Sequence, residues 1–194
     1  MKENPKVIAI SCSHRNNANT EQMLAECLSE LKKQGVSFEL VALRKLDMKA
    51  CDACSECEKD NRCRVNDDLQ KIYPKLLNAK AWIVATPEYW MNVSGLCKNF
   101  LDRLTPYWME RKKHFAKKKA AIITCGGQPR RRIGHAEKYL RLFFSKLHMK
   151  VIGSVLTSAE EPKEVLAQAK ILRECRNLGK KIADGLRKES YGGK

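Results

Sequence analysis

Lys6-Val7-Ile8-Ala9-Ile10-Ser11, followed by the polar run Ser13-His14-Arg15-Asn16-Asn17-Ala18-Asn19-Thr20, decides how the chain is read. Val7 to Ile10 is apolar without interruption, as in a strand covered on both faces. After the polar run, Met23, Leu24, Cys27, Leu28 and Leu31 recur at the spacing of one helix face. Asn19 can cap that helix, with Gln22 three residues on, and Gly35 can end it. A buried strand that passes through a polar loop into an amphipathic helix is the opening of a β–α–β unit.

The same alternation continues along the chain. Val36 to Leu43, Ala81 to Ala85, Ala120 to Thr124 and Val151 to Leu156 read as four more strands. Asp67 and Asp68 open a helix carried by Leu69, Ile72, Tyr73, Leu76 and Leu77, with Pro74 expected to bend or shorten it. Ser94 to Tyr107, Gly134 to Met149 and Pro162 to Arg187 read as helices, with a frayed tail from Lys188. There is no internal repeat. Residues 1–194 are therefore expected to form one domain with a cysteine-rich insertion at about 47–66. Five apolar strands alternating with helices predict a parallel sheet covered on both faces, with ligands at the carboxyl ends of its strands.

Composition narrows the function classes. No window is long and apolar enough to span a membrane, and the polar start, Met1 to Pro5, leaves no room for a secretory signal. The cytoplasm is the expected compartment. Nine cysteines in a chain with a core of its own point to reduced thiols serving as metal or cluster ligands rather than to a disulfide framework. The net charge of +16, from 38 Lys and Arg against 22 Asp and Glu, favours polyanions, acidic proteins or phosphorylated ligands. Nucleic acid is the weaker reading, because no recognisable nucleic-acid module accompanies the charge.

The loop after the first strand offers Ser11, Ser13 and Arg15, then Asn19 and Thr20 at a helix start. Unpaired N–H groups and the helix dipole suit a phosphate there. No Gly-x-Gly-x-x-Gly or Gly-x-x-x-x-Gly-Lys is present, which speaks against dinucleotide and nucleoside triphosphate sites and leaves a phosphate monoester. The alternative is simple capping by Asn19 beside a solvated loop.

Ser13-His14-Arg15 with Asn19-Thr20 resembles the Ser-Pro-Arg…Asn-Thr phosphate loop of the NADPH-dependent FMN reductase family, with His14 in place of the usual Pro and Cys12 where Gly is common. Thr86-Pro87-Glu88-Tyr89-Trp90-Met91-Asn92 resembles the family's second loop, with Lys98, Asp102 and Arg103 on the helix after it. Thr124-Cys125-Gly126-Gly127-Gln128 resembles the third. The resemblance runs discontinuously from Lys6 to Gln128. It implies a flavodoxin-like three-layer sandwich with strand order 2-1-3-4-5, FMN as cofactor, and a homodimer or homotetramer with the ring site near a subunit interface. An isoalloxazine needs apolar or aromatic walls and N–H donors near one edge. Thr86, Pro87, Glu88, Tyr89, Trp90 and Asn92 are the expected wall, and Thr124, Gly126 and Gly127 the expected close backbone approach. Core or subunit packing is the rival role for Tyr89 and Trp90, and a plain turn for the glycine pair.

Cys51-x-x-Cys54-x-x-Cys57-x5-Cys63 is the sharpest local pattern, because three closely spaced thiols and a fourth after a short loop can wrap a compact cluster. The spacing resembles that of the iron–sulfur flavoproteins, a branch of the same family, and so implies a [4Fe–4S] cluster and a ferredoxin-like donor. Zinc, a disulfide pair and a remnant motif are the alternatives. Asp52, Glu56, Glu58 and Asp60 count against an anionic cluster. Without a cluster, the reading is an NAD(P)H-dependent FMN or quinone reductase in which Arg130 to Arg132 can meet a nucleotide phosphate. A zinc-stabilised nucleic-acid module is the remote third reading.

Overall fold

The computed structural model describes residues 5–191, with side chains to Lys188. The opening four residues and the tail beyond Tyr191 lie outside the described residues. β1 (Val7–Ser11), β2 (Phe38–Ala42), β3 (Ala81–Tyr89), β5 (Lys119–Gly126) and β6 (Lys150–Ser158) form one parallel sheet in the order β2-β1-β3-β5-β6. This is the order expected for the five parallel strands. A sixth strand, β4 (Asn92–Val93), adds to it by pairing antiparallel with β3.

Apolar residues sit on both faces of the strands because helices cover both. After a single-turn helix in the cysteine insertion, α2 (Cys57–Asp60), the chain reaches α3 (Leu69–Asn78), and Ile8, Ile10, Trp82, Val84 and Ile122 pack towards α3, α4 (Gly95–Asp102) and α6 (His135–Lys146). Val7, Ala9, Ile83, Ala121 and Ile123 pack towards α1 (Asn19–Lys33) and α7 (Ala169–Tyr191). α1 and α7 approach so closely that a Cβ on Gly179 would lie 2.4 Å from the Cys27 carbonyl oxygen, so only glycine fits there. Cys27 and Cys175 are buried between these helices, and burial pushes the Cys175 thiol up to about 12. They are core residues, as is Cys97.

Several boundaries differ from the sequence expectation. Pro74 does not interrupt α3, which continues to Asn78. β3 runs on through Thr86 to Tyr89, where a loop is expected. The helix expected over Ser94 to Tyr107 ends at Asp102, its last residues forming a separate 3-10 turn (Thr105–Tyr107), and a short helix, α5 (Arg111–Phe115), follows that the sequence pattern does not reveal. α7 starts later than Pro162, after a 3-10 turn (Glu164–Ala167), and continues past Lys188 to Tyr191 where fraying is expected. Among the described residues, no helix is long and apolar enough to cross a membrane.

Candidate flavin cleft and cysteine insertion

The carboxyl ends of β1, β3 and β5 frame a cleft of about 770 Å³, within the range of small-ligand sites. Ser13, Arg15, Asn19, Thr20, Pro87, Glu88, Tyr89, Trp90, Gly126 and Gly127 line it. Ser11, Thr86, Asn92 and Thr124 do not.

The helix start below this cleft lacks a side-chain cap. Ala18 is its N-cap residue, and Asn19 is turned away from the capping role. Its amide donates to the Glu161 carbonyl at 2.8 Å and accepts from the Val165 N–H at 3.2 Å, tying the loop after β6 to α1. The first-turn N–H groups of an α-helix have no intrahelical acceptor. Beside them Thr20 Oγ1 is buried without a hydrogen-bond partner. An orphaned hydroxyl at an uncapped, positively polarised helix start is the donor set a phosphate monoester completes.

The loop above is held in shape from within. Ser13 Oγ accepts from the Arg15 N–H and donates to the Arg15 carbonyl, each at 3.1 Å. Ser11 is turned under the loop and donates to Glu21 at 2.9 Å, and the Asn17 N–H reaches the same carboxylate at 2.8 Å. Arg44 pairs with Glu21 and donates to Asn16 Oδ1, so the acidic side chain in the first turn meets a cation before any phosphate does. Sequence reading missed Glu21 and Arg44. An acidic residue in the first turn and a lone arginine after the second strand were the available signals.

The second wall is a hairpin. Tyr89 pairs with Asn92 across a two-residue turn in which Trp90 and Met91 both adopt left-handed conformations, φ 48° and 57°. That turn normally takes Asn-Gly, so bulky residues there store strain of about 1–3 kcal/mol. Trp90 is 96% exposed at the tip. Asn92 Oδ1 accepts from the Val93 N–H. Thr86 is fully buried; it donates to the Pro87 carbonyl and accepts from the Ser94 N–H. Ser94 in turn caps α4 through Cys97 N–H and donates to the Cys12 carbonyl at 2.8 Å, locking the ends of β1 and β3 to α4. Glu88 is spent on α6, accepting from the N–H groups of Gly134 and Ala136 at 2.8 and 3.1 Å.

On the third wall, a Cβ at Gly126 would lie 2.7 Å from Ile133 Cγ2. Packing against Ile133 thus requires this glycine whatever the ligand does. A Cβ at Gly127 would meet only ordinary contacts with Glu160. Thr124 is buried with Oγ1 unpartnered. Cys125 lines the cleft, and burial pushes its thiol up to about 11. Of the three arginines after this loop, Arg132 reaches the cleft.

The cysteines of the insertion gather on the connection between β2 and α3. Cys51 and Cys54 are exposed, Cys57 and Cys63 half-buried. Burial raises the Cys57 thiol, and the nearby Cys63, Cys54 and Cys51 sulfurs raise it further, so the other three lie within electrostatic reach of Cys57. Among the described residues, no three ligating side chains converge as they would around a single metal ion. Ala53, Ser55 and Asn61 take left-handed conformations that wind the loop tightly. The acidic neighbours are less adverse than their sequence positions imply. Arg64 pairs with Asp52 at 2.5 Å, approaches Glu56 at 4.0 Å and lies within hydrogen-bonding reach of Cys54.

The neck of this insertion is clipped by one buried cation. Arg103, at the end of α4, donates to the Lys49 carbonyl at 2.6 Å and to both oxygens of Asp67 at 2.6 and 3.2 Å. Both side chains are 0% exposed. Asp67 also accepts from the N–H groups of Lys49 and Leu69. Burial pushes the Asp67 carboxyl up, but Arg103 and those N–H groups outweigh it and hold it below the ordinary range.

A sequence model of the family described as NADPH-dependent FMN reductase matches residues 5–163. An iron–sulfur flavoprotein of Methanosarcina thermophila is 30% identical over 146 residues, 74% of this chain and 73% of that protein. A Bacillus subtilis protein, provisionally named an NAD(P)H-dependent FMN-containing oxidoreductase, is 26% identical over 182 residues, 91% of this chain and 97% of its own. Against two further iron–sulfur flavoproteins the chain spans about half the length of the relative, 52% and 48%. Among solved structures, the apo form of an NADH:FMN oxidoreductase superposes with a TM-score of 0.69 at 24% identity, over 92% of this chain and 88% of that one, a likeness of fold.

Proposed function

The chain belongs to the NADPH-dependent FMN reductase family, and on that premise we propose that it is an FMN-dependent oxidoreductase whose cysteine insertion holds a [4Fe–4S] cluster. The observation that carries the flavin half is the uncapped start of α1 with Thr20 Oγ1 orphaned beside it, under a cleft of about 770 Å³. Thr20 Oγ1 and the N–H groups of Asn19 and Thr20 at the start of α1 receive the phosphate beneath the loop that Ser13 holds in shape, and Arg15 adds a charge from the rim. Tyr89, Trp90, Gly126 and Gly127 wall the ring, while Thr86 and Glu88 hold that wall from behind. When bound, FMN supplies hydride and single-electron chemistry, and the protein supplies orientation and exclusion of water.

Cys51, Cys54, Cys57 and Cys63 are the ligands of the cluster, which when bound supplies one-electron storage. Their spacing on one tightly wound connection supports this reading, as do the reach of three of them to Cys57 and Arg64 beside Cys54. A ferredoxin-like protein or NAD(P)H is the electron donor, and the exposed Trp90 tip is the surface a second copy of the chain covers in a homodimer or homotetramer.

A cluster-free NAD(P)H-dependent FMN or quinone reductase is the second reading. It is favoured by the near full-length match to the Bacillus subtilis relative and by Arg132 at the cleft, where a nucleotide phosphate would find a cation. Anaerobic purification, a visible spectrum and iron and sulfide analysis separate the two. About four irons per chain with flavin bands supports the first. Flavin without iron, with brisk NADPH oxidation, replaces it with the second. Folded protein that takes up no FMN overturns both.

A further inference from the structure

At the amino ends of the strands lies a second cleft, of about 1550 Å³, to which flavin chemistry gives no task. Among the described residues nine lysines line it against one carboxylate, Asp184, which is already paired with Arg187 at 3.3 Å. Lys80, Lys112, Lys117, Lys150 and Lys181 are exposed there and make no ion pair among the described residues. So many ammonium groups within a Debye length repel one another and destabilise the empty cleft, and a polyanion relieves that repulsion. Burial, and then the charge of Lys80, pull the Lys118 amine down to about 8.

The lining also limits what the polyanion can be. The floor is aliphatic, with Ala116, Val151 and Ile152, and no arginine contributes a planar fork. Among the described residues one ring lines the cleft, His114, and it is packed against Tyr107 at 5.7 Å and bound to Glu110 at 3.2 Å, so it offers no face for stacking. Single-stranded nucleic acids rely on such faces. The volume exceeds the roughly 300–1,000 Å³ of an ordinary small-ligand pocket, which calls for an extended ligand. An electron-transfer partner is also a poor fit. The eight residues of β5 put about 23 Å between this cleft and the flavin cleft.

We propose that the cleft binds a linear chain of phosphates without bases, inorganic polyphosphate, held by point-charge contacts to its lysines. The test uses the full-length flavin-loaded protein and fluorescence anisotropy with end-labelled polyphosphate of defined length, from about 0.05 to 0.3 M salt. One variant carries Lys112→Gln, Lys117→Gln and Lys181→Gln. A control loses the same charge outside the cleft, through Lys32→Gln, Lys33→Gln and Lys170→Gln.

The cleft variant should bind at least about tenfold more weakly and flatten the salt slope by about 2, at roughly 0.7 per lost contact, while the control stays within about twofold. Equal losses in both variants would mean diffuse surface charge and overturn the proposal. Tighter binding of an oligonucleotide with the same number of phosphates would overturn it in favour of nucleic acid. Failure to bind the probe at about 0.15 M salt would remove it altogether. If the triple variant loses its native circular dichroism, Lys80→Gln with Lys150→Gln takes its place, with Lys32→Gln plus Lys33→Gln as the control and an expected flattening of about 1.4 for its two lost contacts.

Discussion

Arg103→Met should release the neck of the cysteine insertion. The guanidinium makes three hydrogen bonds, at 2.6, 2.6 and 3.2 Å, and its partner carboxylate is 0% exposed. Removing it leaves Asp67 buried without its cation, which costs about 3–5 kcal/mol, a large part of a typical total of about 5–15. With a urea slope near 2 kcal/mol/M, the unfolding midpoint should fall by roughly 2 M. Arg103→Met combined with Asp67→Asn should recover much of that loss. The stranded charge is then gone, while the amide oxygen still accepts from Lys49 or Leu69. The pH dependence follows from the depressed carboxyl. Its contribution is complete above the ordinary 3.8 of an aspartate and is lost as pH falls through the lower native value. The variant should lack that acid arm. A midpoint shift under about 0.5 M, or strict additivity of the two changes, would refute the reasoning.

Two further perturbations read the site directly. Thr20→Val keeps the shape and removes a hydroxyl that has no partner in the protein, so FMN affinity should drop by roughly 5- to 100-fold while the melting temperature of the flavin-free protein stays put; isothermal titration and a thermal scan check both halves, and an unchanged affinity would take the phosphate away from this helix. A thiol reagent applied at neutral pH to native, metal-free protein should modify the exposed Cys51 and Cys54 first, the half-buried Cys63 and Cys57 (whose thiol burial raises) more slowly, and Cys12, Cys27, Cys97, Cys125 and Cys175 only on unfolding. Mass spectrometry of the labelled peptides gives the answer, and rapid labelling of any of the five would contradict their burial.

What sequence reading recovered was local, and what it missed depended on distant partners. Val7 to Ile10 and the Met23 to Leu31 periodicity carried the strand–helix alternation, and with it the sheet. Asn19 has the chemistry of a cap, but Ala159, Glu161 and Val165, some 140 residues away, bind it instead. Pro87 lacks the N–H that a central strand donates to its ladder. It is tolerated inside β3 because the ladder with β1 has already ended at Ala85, leaving β5 as the remaining partner at that level. The hairpin at Trp90-Met91 carries no Asn-Gly to announce it. α5 is too short, with Phe115 as its buried residue, to show a period. Arg103 and Asp67 stand 36 residues apart, and no pattern along the chain pairs them.

The flavin cleft and the thiols are joined by one rigid strut. Ser94 fixes the head of α4 to the ends of β1 and β3 through Cys12 and Thr86, and Arg103 fixes its foot to Lys49 and Asp67. Eight helical residues between them span about 12 Å. A helix is far stiffer than the exposed loop it anchors, so the neck of the insertion keeps its place relative to the cleft even while Cys51 and Cys54 remain open to solvent. Connections elsewhere on a parallel sheet tolerate length changes because nothing downstream depends on their position. This one carries a buried ion pair at its base, at the cost of desolvating two charges. Such a pair is a costly way to stabilise a fold, and an apolar contact would serve that end as well. Its use here serves position more than stability: it fixes the neck of the insertion to the strut that ends at the cleft.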